Sequence, residues 1–155
     1  MIITQRTATL GDAAMLLTWR NNPSARKFSI NSEHIPDDQH LEWFRARLER
    51  TQIEPFFLYE AESKVIGMSR FDIASGTFNK SEISILVDPN ENGKGVGKKI
   101  LNMACVTFFG LHPNYAIVAN VHKQNFVSQK LFAGAGFELL HSVGDFHCFE
   151  KKSLY

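Results

Sequence analysis

The chain has 155 residues, 44% of them hydrophobic and 13 of them Phe, enough to give one domain (1–155) a sizeable core. Lys and Arg total 17 against 16 Asp and Glu, and a net charge of +1 excludes a general nucleic-acid binder, which carries a basic excess. Cys105 and Cys148 have neither metal-ligand spacing nor the look of a disulfide framework, and Met1–Arg6 holds no long apolar run. The expectation is a reduced, cytoplasmic protein without metal, signal peptide or membrane span, a monomer or homodimer with no nucleic-acid or membrane partner.

Ile2 to Arg6 is expected as a short strand. Thr9-Leu10-Gly11-Asp12 resembles a capping box with Asp in place of Glu, and Leu10, Ala13, Ala14 and Leu17 share the face of a helix running to about Arg20. Asn21-Asn22-Pro23 is a turn signal. A second helix starts near Pro36, with Asp37 and Asp38 where the helix dipole favours anions and Leu41, Phe44 and Leu48 as its apolar stripe. Phe56 to Ala61 and Val65 to Ile73 are strand-like around a tight turn at Glu62-Ser63-Lys64. Ser75-Gly76-Thr77 is expected to turn, and Glu82 to Val87 is a third strand of this meander, ended by Asp88-Pro89-Asn90.

A helix from about Gly95 to Phe109 follows, with Ile100, Ala104 and Phe108 on one side. Tyr115 to Val121 is a strand, Asn125 to Ala133 a helix closed by Gly134-Ala135-Gly136, and Phe137 to Val143 and Phe146 to Lys151 form a last strand pair. This order gives an α/β (α+β) fold, a mixed sheet with helices packed on it.

The chemistry concentrates first at Asn92-Gly93-Lys94-Gly95-Val96-Gly97, followed by Lys98 and Lys99. A glycine loop between strand and helix turns several backbone N–H groups to one point, where the helix N-terminus adds positive partial charge and a diphosphate fits. Glycines alone equally allow a flexible connection with a solvated basic face. The phosphate loop G-x-x-x-x-G-K-[ST] is absent.

With this loop preceded by Val87-Asp88-Pro89 and followed by Asn125-Phe126-Val127-Ser128, Leu131-Phe132 and Gly136-Phe137, the chain resembles the GNAT superfamily of N-acetyltransferases. The family's coenzyme motif is Gln or Arg, two residues, Gly, one residue, then Gly or Ala; Asn92 departs at its first position. The resemblance implies a mostly antiparallel sheet in which two parallel strands, Glu82 to Val87 and Tyr115 to Val121, splay apart to admit acetyl-CoA. It implies backbone groups of Leu86 and Val87 along the pantetheine arm, amides of Asn92, Gly93, Lys94, Gly95, Val96, Gly97 and Lys98 on the diphosphate, and Asn125 beside the arm or as a helix cap. Glu82 is the first candidate for the base that deprotonates the amine, and His122 the second, since imidazole titrates near neutral pH. Many relatives place an acidic Tyr where this chain has Phe132, so Ser128, one turn earlier, is the candidate partner of the thiolate. Solvated surface roles are the alternatives for Glu82, His122 and Ser128.

The acceptor side is expected at Trp19-Arg20-Asn21-Asn22 and His40-Leu41-Glu42-Trp43-Phe44, a pattern resembling the branches that acetylate ribosomal-protein N-termini and nucleotide-linked amino sugars. Trp19 and Trp43 stack on a base or sugar or pack in the core, Arg20 holds a phosphate or carboxylate, Asn21 adjoins it, and Arg26 and Lys27 meet nucleotide phosphates or stay solvated. The implied activity is acetyl transfer from acetyl-CoA to a small-molecule or peptide amine, with a nucleotide-linked amino sugar favoured. A protein N-terminal acetyltransferase and a non-catalytic acyl-CoA-binding module are the alternatives.

Overall fold

The computed structural model describes residues 1–73, 76 and 78–153. Seven strands form one sheet: β1 (Thr4–Thr7), β2 (Phe56–Ala61), β3 (Lys64–Ile73), β4 (Lys80–Val87), β5 (Ala116–His122), β6 (Glu138–Val143) and β7 (Phe146–Lys152), in spatial order β1-β2-β3-β4-β5-β7-β6. Every neighbouring pair is antiparallel except β4 and β5. The helices are α1 (Ala13–Asn21), α2 (Pro23–Arg26), α3 (Asp37–Leu48), α4 (Val96–Leu111) and α5 (Phe126–Gly134). The mixed, mostly antiparallel α/β architecture expected of the chain is therefore present, with the short α2 an addition. The expected turn at Ser75 and Thr77 falls outside the described residues. Among the described residues no helix is long and apolar enough to cross a membrane.

Local chemistry places the elements. Asp12 accepts hydrogen bonds from the N–H of Thr9 (2.8 Å) and its hydroxyl (3.2 Å), so the expected Thr9–Asp12 device opens a 3-10 turn, Leu10–Asp12, that runs into α1. Arg6 pins the same carboxylate through two N–H groups at 2.9 and 2.8 Å. The Asn22 side chain caps α2 by accepting from Ser24 N–H. The β2–β3 turn holds Glu62 and Ser63 at positive φ, 54° and 65°. One face of α1 differs from expectation: Ala13, Leu16, Leu17 and Trp19 are buried, whereas Leu10 and Ala14 are exposed. The 3-10 turn advances the chain by a tighter repeat than the α-helix, which rotates Leu10 out of the stripe.

Two cores lie on opposite faces of the sheet. Under α4 and α5, Ile83, Ile100, Ile117, Phe132 and Phe137 cluster around stacked Phe71 and Phe108, whose ring centroids are 4.4 Å apart. Under α1 and α3, Leu16, Trp19, Phe44, Phe56, Leu58 and Met68 form the second core. Arg47 of α3 is wholly buried there and donates to Asp72 (2.9 Å) and to the Phe71 carbonyl (2.6 Å), tying α3 to the end of β3. An Arg in this position is held because its charge is met by a carboxylate and a carbonyl.

Gly67 on β3 permits α4 to lie close over the sheet: a Cβ there would sit 2.4 Å from Ile100 Cδ1 and 3.0 Å from the Leu86 carbonyl oxygen. Gly67→Ala is expected to destabilise the protein by about 1–3 kcal/mol through overpacking. The measurement is the urea midpoint at unchanged slope; a wild-type midpoint would show that α4 can shift without cost.

Candidate active site

The site begins where β4 and β5 part. Their parallel pairing covers three residue pairs, Lys80↔Ala116, Ser81↔Ile117 and Glu82↔Val118, and then stops. Beyond it β4 continues to Val87 beside β3, and β5 continues to His122 beside β7. A wedge opens between Ile83–Val87 and Ala119–His122.

Strand alternation decides which backbone groups line it. Asp88 N–H donates to the Ile66 carbonyl, and the Leu86 carbonyl lies against Gly67, so Leu86 turns its backbone to β3. Ala116 N–H donates to the Asn79 carbonyl on the other side. With a period of two, Ile85 and Val87 therefore turn their N–H and C=O groups to the wedge. Of the two backbones expected along the wedge, that of Leu86 turns to β3 and that of Val87, with Ile85, to the wedge side, which a count of alternation back from Asp88 would have found.

The wedge leads to the glycine loop. Asp88 accepts from Asn90 N–H (2.9 Å) and holds a 3-10 turn, Pro89–Glu91, that sets the loop's start. Gly93 and Gly95 adopt φ of 79° and 76°, the left-handed region that L side chains avoid, and nothing lies within 4 Å of where their Cβ atoms would be. Gly95 is the N-cap of α4 and supplies no capping side chain, so the N–H groups of Val96, Gly97 and Lys98 open the 16-residue helix towards the loop's concavity. Gly97 packs the helix start against Val87 and Leu131. Asn92, Lys94 and Lys98 are exposed, and Lys94 pairs with Glu91 at 3.2 Å.

The far wall is α5. Asn125 caps it by accepting from Ser128 N–H at 3.1 Å. The Ser128 hydroxyl has no protein partner among the described residues. Phe132 is buried against Phe137, with centroids 5.1 Å apart, and contributes packing only.

Glu82 occupies the last paired position of β4, half-buried, near the Cys148 thiol and without an ion-pair partner among the described residues. Alternation puts its side chain, with those of Ser84 and Leu86, on the face covered by α1 and α3, because Ile83, Ile85 and Val87 join the core under α4. His122 lies at the end of β5 between Phe28 (centroids 5.4 Å) and Phe146 (5.3 Å). Its Nδ1 accepts from Gln124 N–H at 3.1 Å. That bond orients the ring at the mouth of the wedge.

The acceptor-side residues divide. Trp19 is only 7% exposed within the second core, so it packs and does not form a platform. Asn21 spends both halves of its amide on Ile35, donating to the carbonyl (2.9 Å) and accepting from the N–H (2.9 Å), and so ties down the α1–α3 connection. Arg20 donates to the Asn31 carbonyl (2.5 Å), and its Nη1 is buried with no partner among the described residues. Trp43 remains 38% exposed with the Arg70 guanidinium 4.9 Å above its ring. Arg70 was missing from the sequence expectations; its alternation with Asp72 towards the end of a mostly apolar strand was the available signal.

Comparison with known proteins places the fold. The family description "Acetyltransferase (GNAT) domain" matches residues 3–138. A Bacillus subtilis (strain 168) protein named provisionally as a phosphinothricin acetyltransferase is 28% identical over 131 residues, covering 80% of this chain and 76% of its own. A Salmonella typhimurium acetyltransferase solved with its cofactor acetyl-CoA superposes with TM-score 0.79 at 24% identity, covering 98% of this chain and 94% of that one. The ribosomal-protein-alanine N-acetyltransferase of Brucella melitensis superposes with TM-score 0.79 at 23% identity, covering 98% and 99%. At these identities the two structures share the fold. The chain belongs to the GNAT acetyltransferase family: it is an acetyl-CoA-dependent N-acetyltransferase acting on amines.

The residues present fit that coenzyme, since the open glycines, the uncapped N–H groups of α4 and the wedge follow one another in a continuous path. Gly95→Asp is expected to raise the dissociation constant of CoA by more than about tenfold, through backbone strain at φ 76° and like charge against a phosphate. Calorimetric titration checks this, and an unchanged constant would remove the loop from the coenzyme site.

Proposed function

We propose that residues 1–155 form one cytoplasmic acyltransferase domain in which Glu82 activates the amine of a nucleotide-linked amino sugar for acetylation. Acetyl-CoA supplies the acyl group as a thioester, a good electrophile with a thiolate leaving group. Amides of residues 92–98 hold the diphosphate, and Ile85 and Val87 bond the pantetheine arm along the wedge. The observation that carries the reading is the placement of Glu82 at the last paired residue before the wedge, on the α1–α3 face from which an amine enters.

The amine attacks only when neutral, and the Glu82 carboxylate accepts its proton directly or through one water. The Ile85 N–H faces the wedge and stabilises charge developing on the carbonyl oxygen. The Ser128 hydroxyl donates to the departing sulfur, a task closed to Phe132. His122, at the end of β5, is the second candidate for the base. The Arg20, Arg26 and Lys27 segment favours a phosphate-bearing acceptor over a cationic protein N-terminus.

Glu82→Gln is expected to lower kcat by about 10²-fold while the dissociation constant of acetyl-CoA stays within twofold. Stopped-flow turnover with labelled acetyl-CoA, alongside calorimetry, separates the two quantities; wild-type turnover at neutral and mildly acidic pH would remove Glu82 as base. In an acceptor screen, transfer to UDP-linked amino sugars above N-terminal peptides is the expected result, and the reverse ranking would replace the acceptor.

A further inference from the structure

The acceptor face carries a charge imbalance that the fold does not resolve. Arg20 closes α1, Arg26 closes α2, and Arg70 projects from β3 beside Ser84, whose hydroxyl oxygen lies 3.4 Å from its Nη2. Among the described residues Arg26 donates only to the Ser32 carbonyl (3.1 Å) and Arg20 only to that of Asn31. Arg70 shares the carboxylate of Asp72 with the buried Arg47, on which Glu54 also acts. Burial and the positive charges of Arg26 and Arg70 hold the Arg20 pKa below its usual value. The Nη1 of Arg20 is buried without a partner among the described residues. An unmet buried donor on a charged group is costly, and an oxyanion is the group that meets it with a two-pronged bond.

Position defines how the anion relates to the reacting amine. Ser84, next to Arg70, is two residues along β4 from Glu82 on the same face, which is roughly 7 Å at strand rise. We propose that Arg20 and Arg70, with Arg26 at their rim, form an anion clamp that selects amine acceptors carrying a phosphate or other oxyanion one sugar-ring's length from the amino group. The clamp rests on the acetyl-transfer reading for its amine but not for its anion. An α-amino acid, whose carboxylate adjoins its amine, is too short to reach both the clamp and Glu82. Trp43 supports the arrangement by stacking under Arg70 and fixing the guanidinium plane.

Two measurements test it. In the first, protein saturated with CoA, so that the glycine loop is filled, is melted with and without inorganic phosphate at constant ionic strength. The wild type is expected to rise in midpoint with phosphate, while Arg20→Gln loses the rise. Arg70→Lys is expected to keep the phosphate-free midpoint, because a lysine retains charge beside Asp72, yet lose most of the rise with the forked donor. No rise in the wild type, or equal rises in all three proteins, overturns the clamp. In the second, kcat/KM is compared for glucosamine 6-phosphate against glucosamine, and for leucine against leucinamide. A gain of at least tenfold for the sugar phosphate, carried by KM and abolished by Arg20→Gln, with no comparable gain for leucine, is the expected pattern. Equal use of both sugars, or an equal loss on both in Arg20→Gln, overturns it. Phosphate-dependent stabilisation without turnover of any amine would leave the clamp standing and remove the transfer reading.

Discussion

Everything at the site depends on β4 and β5 losing each other after three residue pairs. The parting is affordable because each strand keeps an antiparallel partner on its outer side, β3 for Ile83–Val87 and β7 for Ala119–His122. The unmet groups are thus confined to one edge of each strand. An unpaired backbone group in a protein interior is a strong demand for a partner, and here the demand is concentrated along a line that ends at the start of α4. The helix adds its own uncapped N–H groups to that line. A sheet defect and a helix terminus together make a continuous polar track through an apolar molecule.

The two faces of the sheet have different duties. The face under α4 and α5 is aromatic and aliphatic, and it fixes the helix that carries the glycine loop. The face under α1 and α3 is apolar at its centre but charged where β3 meets β4. Arg47, Asp72 and Arg70 form a relay of polar contacts from the buried interior to the exposed rim at Trp43. The fold is thereby stabilised by the same carboxylate that positions a candidate binding residue.

The order of elements was legible because each has a strong local signal. Phe56–Ala61 carries β-formers bounded by turn residues, Pro36-Asp37-Asp38 starts a helix, and Ile100, Ala104 and Phe108 share a stripe that is buried. The glycine loop was legible because Gly93 and Gly95 need a backbone conformation few residues adopt. What escaped was decided by partners distant in sequence. Trp19 was a candidate platform until Phe44, Phe56 and Met68 closed over it. His122 sits between Phe28 and Phe146, neither of which is near it in sequence. Leu86 and Ile85 differ only in which edge of β4 meets β3, and local pattern is silent on that. Arg47 went unremarked because the carboxylate that receives it is 25 positions away.

Asn21 has a consequence beyond its two hydrogen bonds. By gripping Ile35 with a single amide, it closes a stretch of 14 positions at its base, much as a drawstring closes a bag. The stretch holds Arg26, Lys27 and Phe28, which meet the acceptor face, while its ends are pinned independently of what lies between them. Loop length changes cost little closure entropy when the ends are fixed. The segment is therefore an exchangeable visor: its contents can be rewritten while the sheet and the glycine loop keep their places.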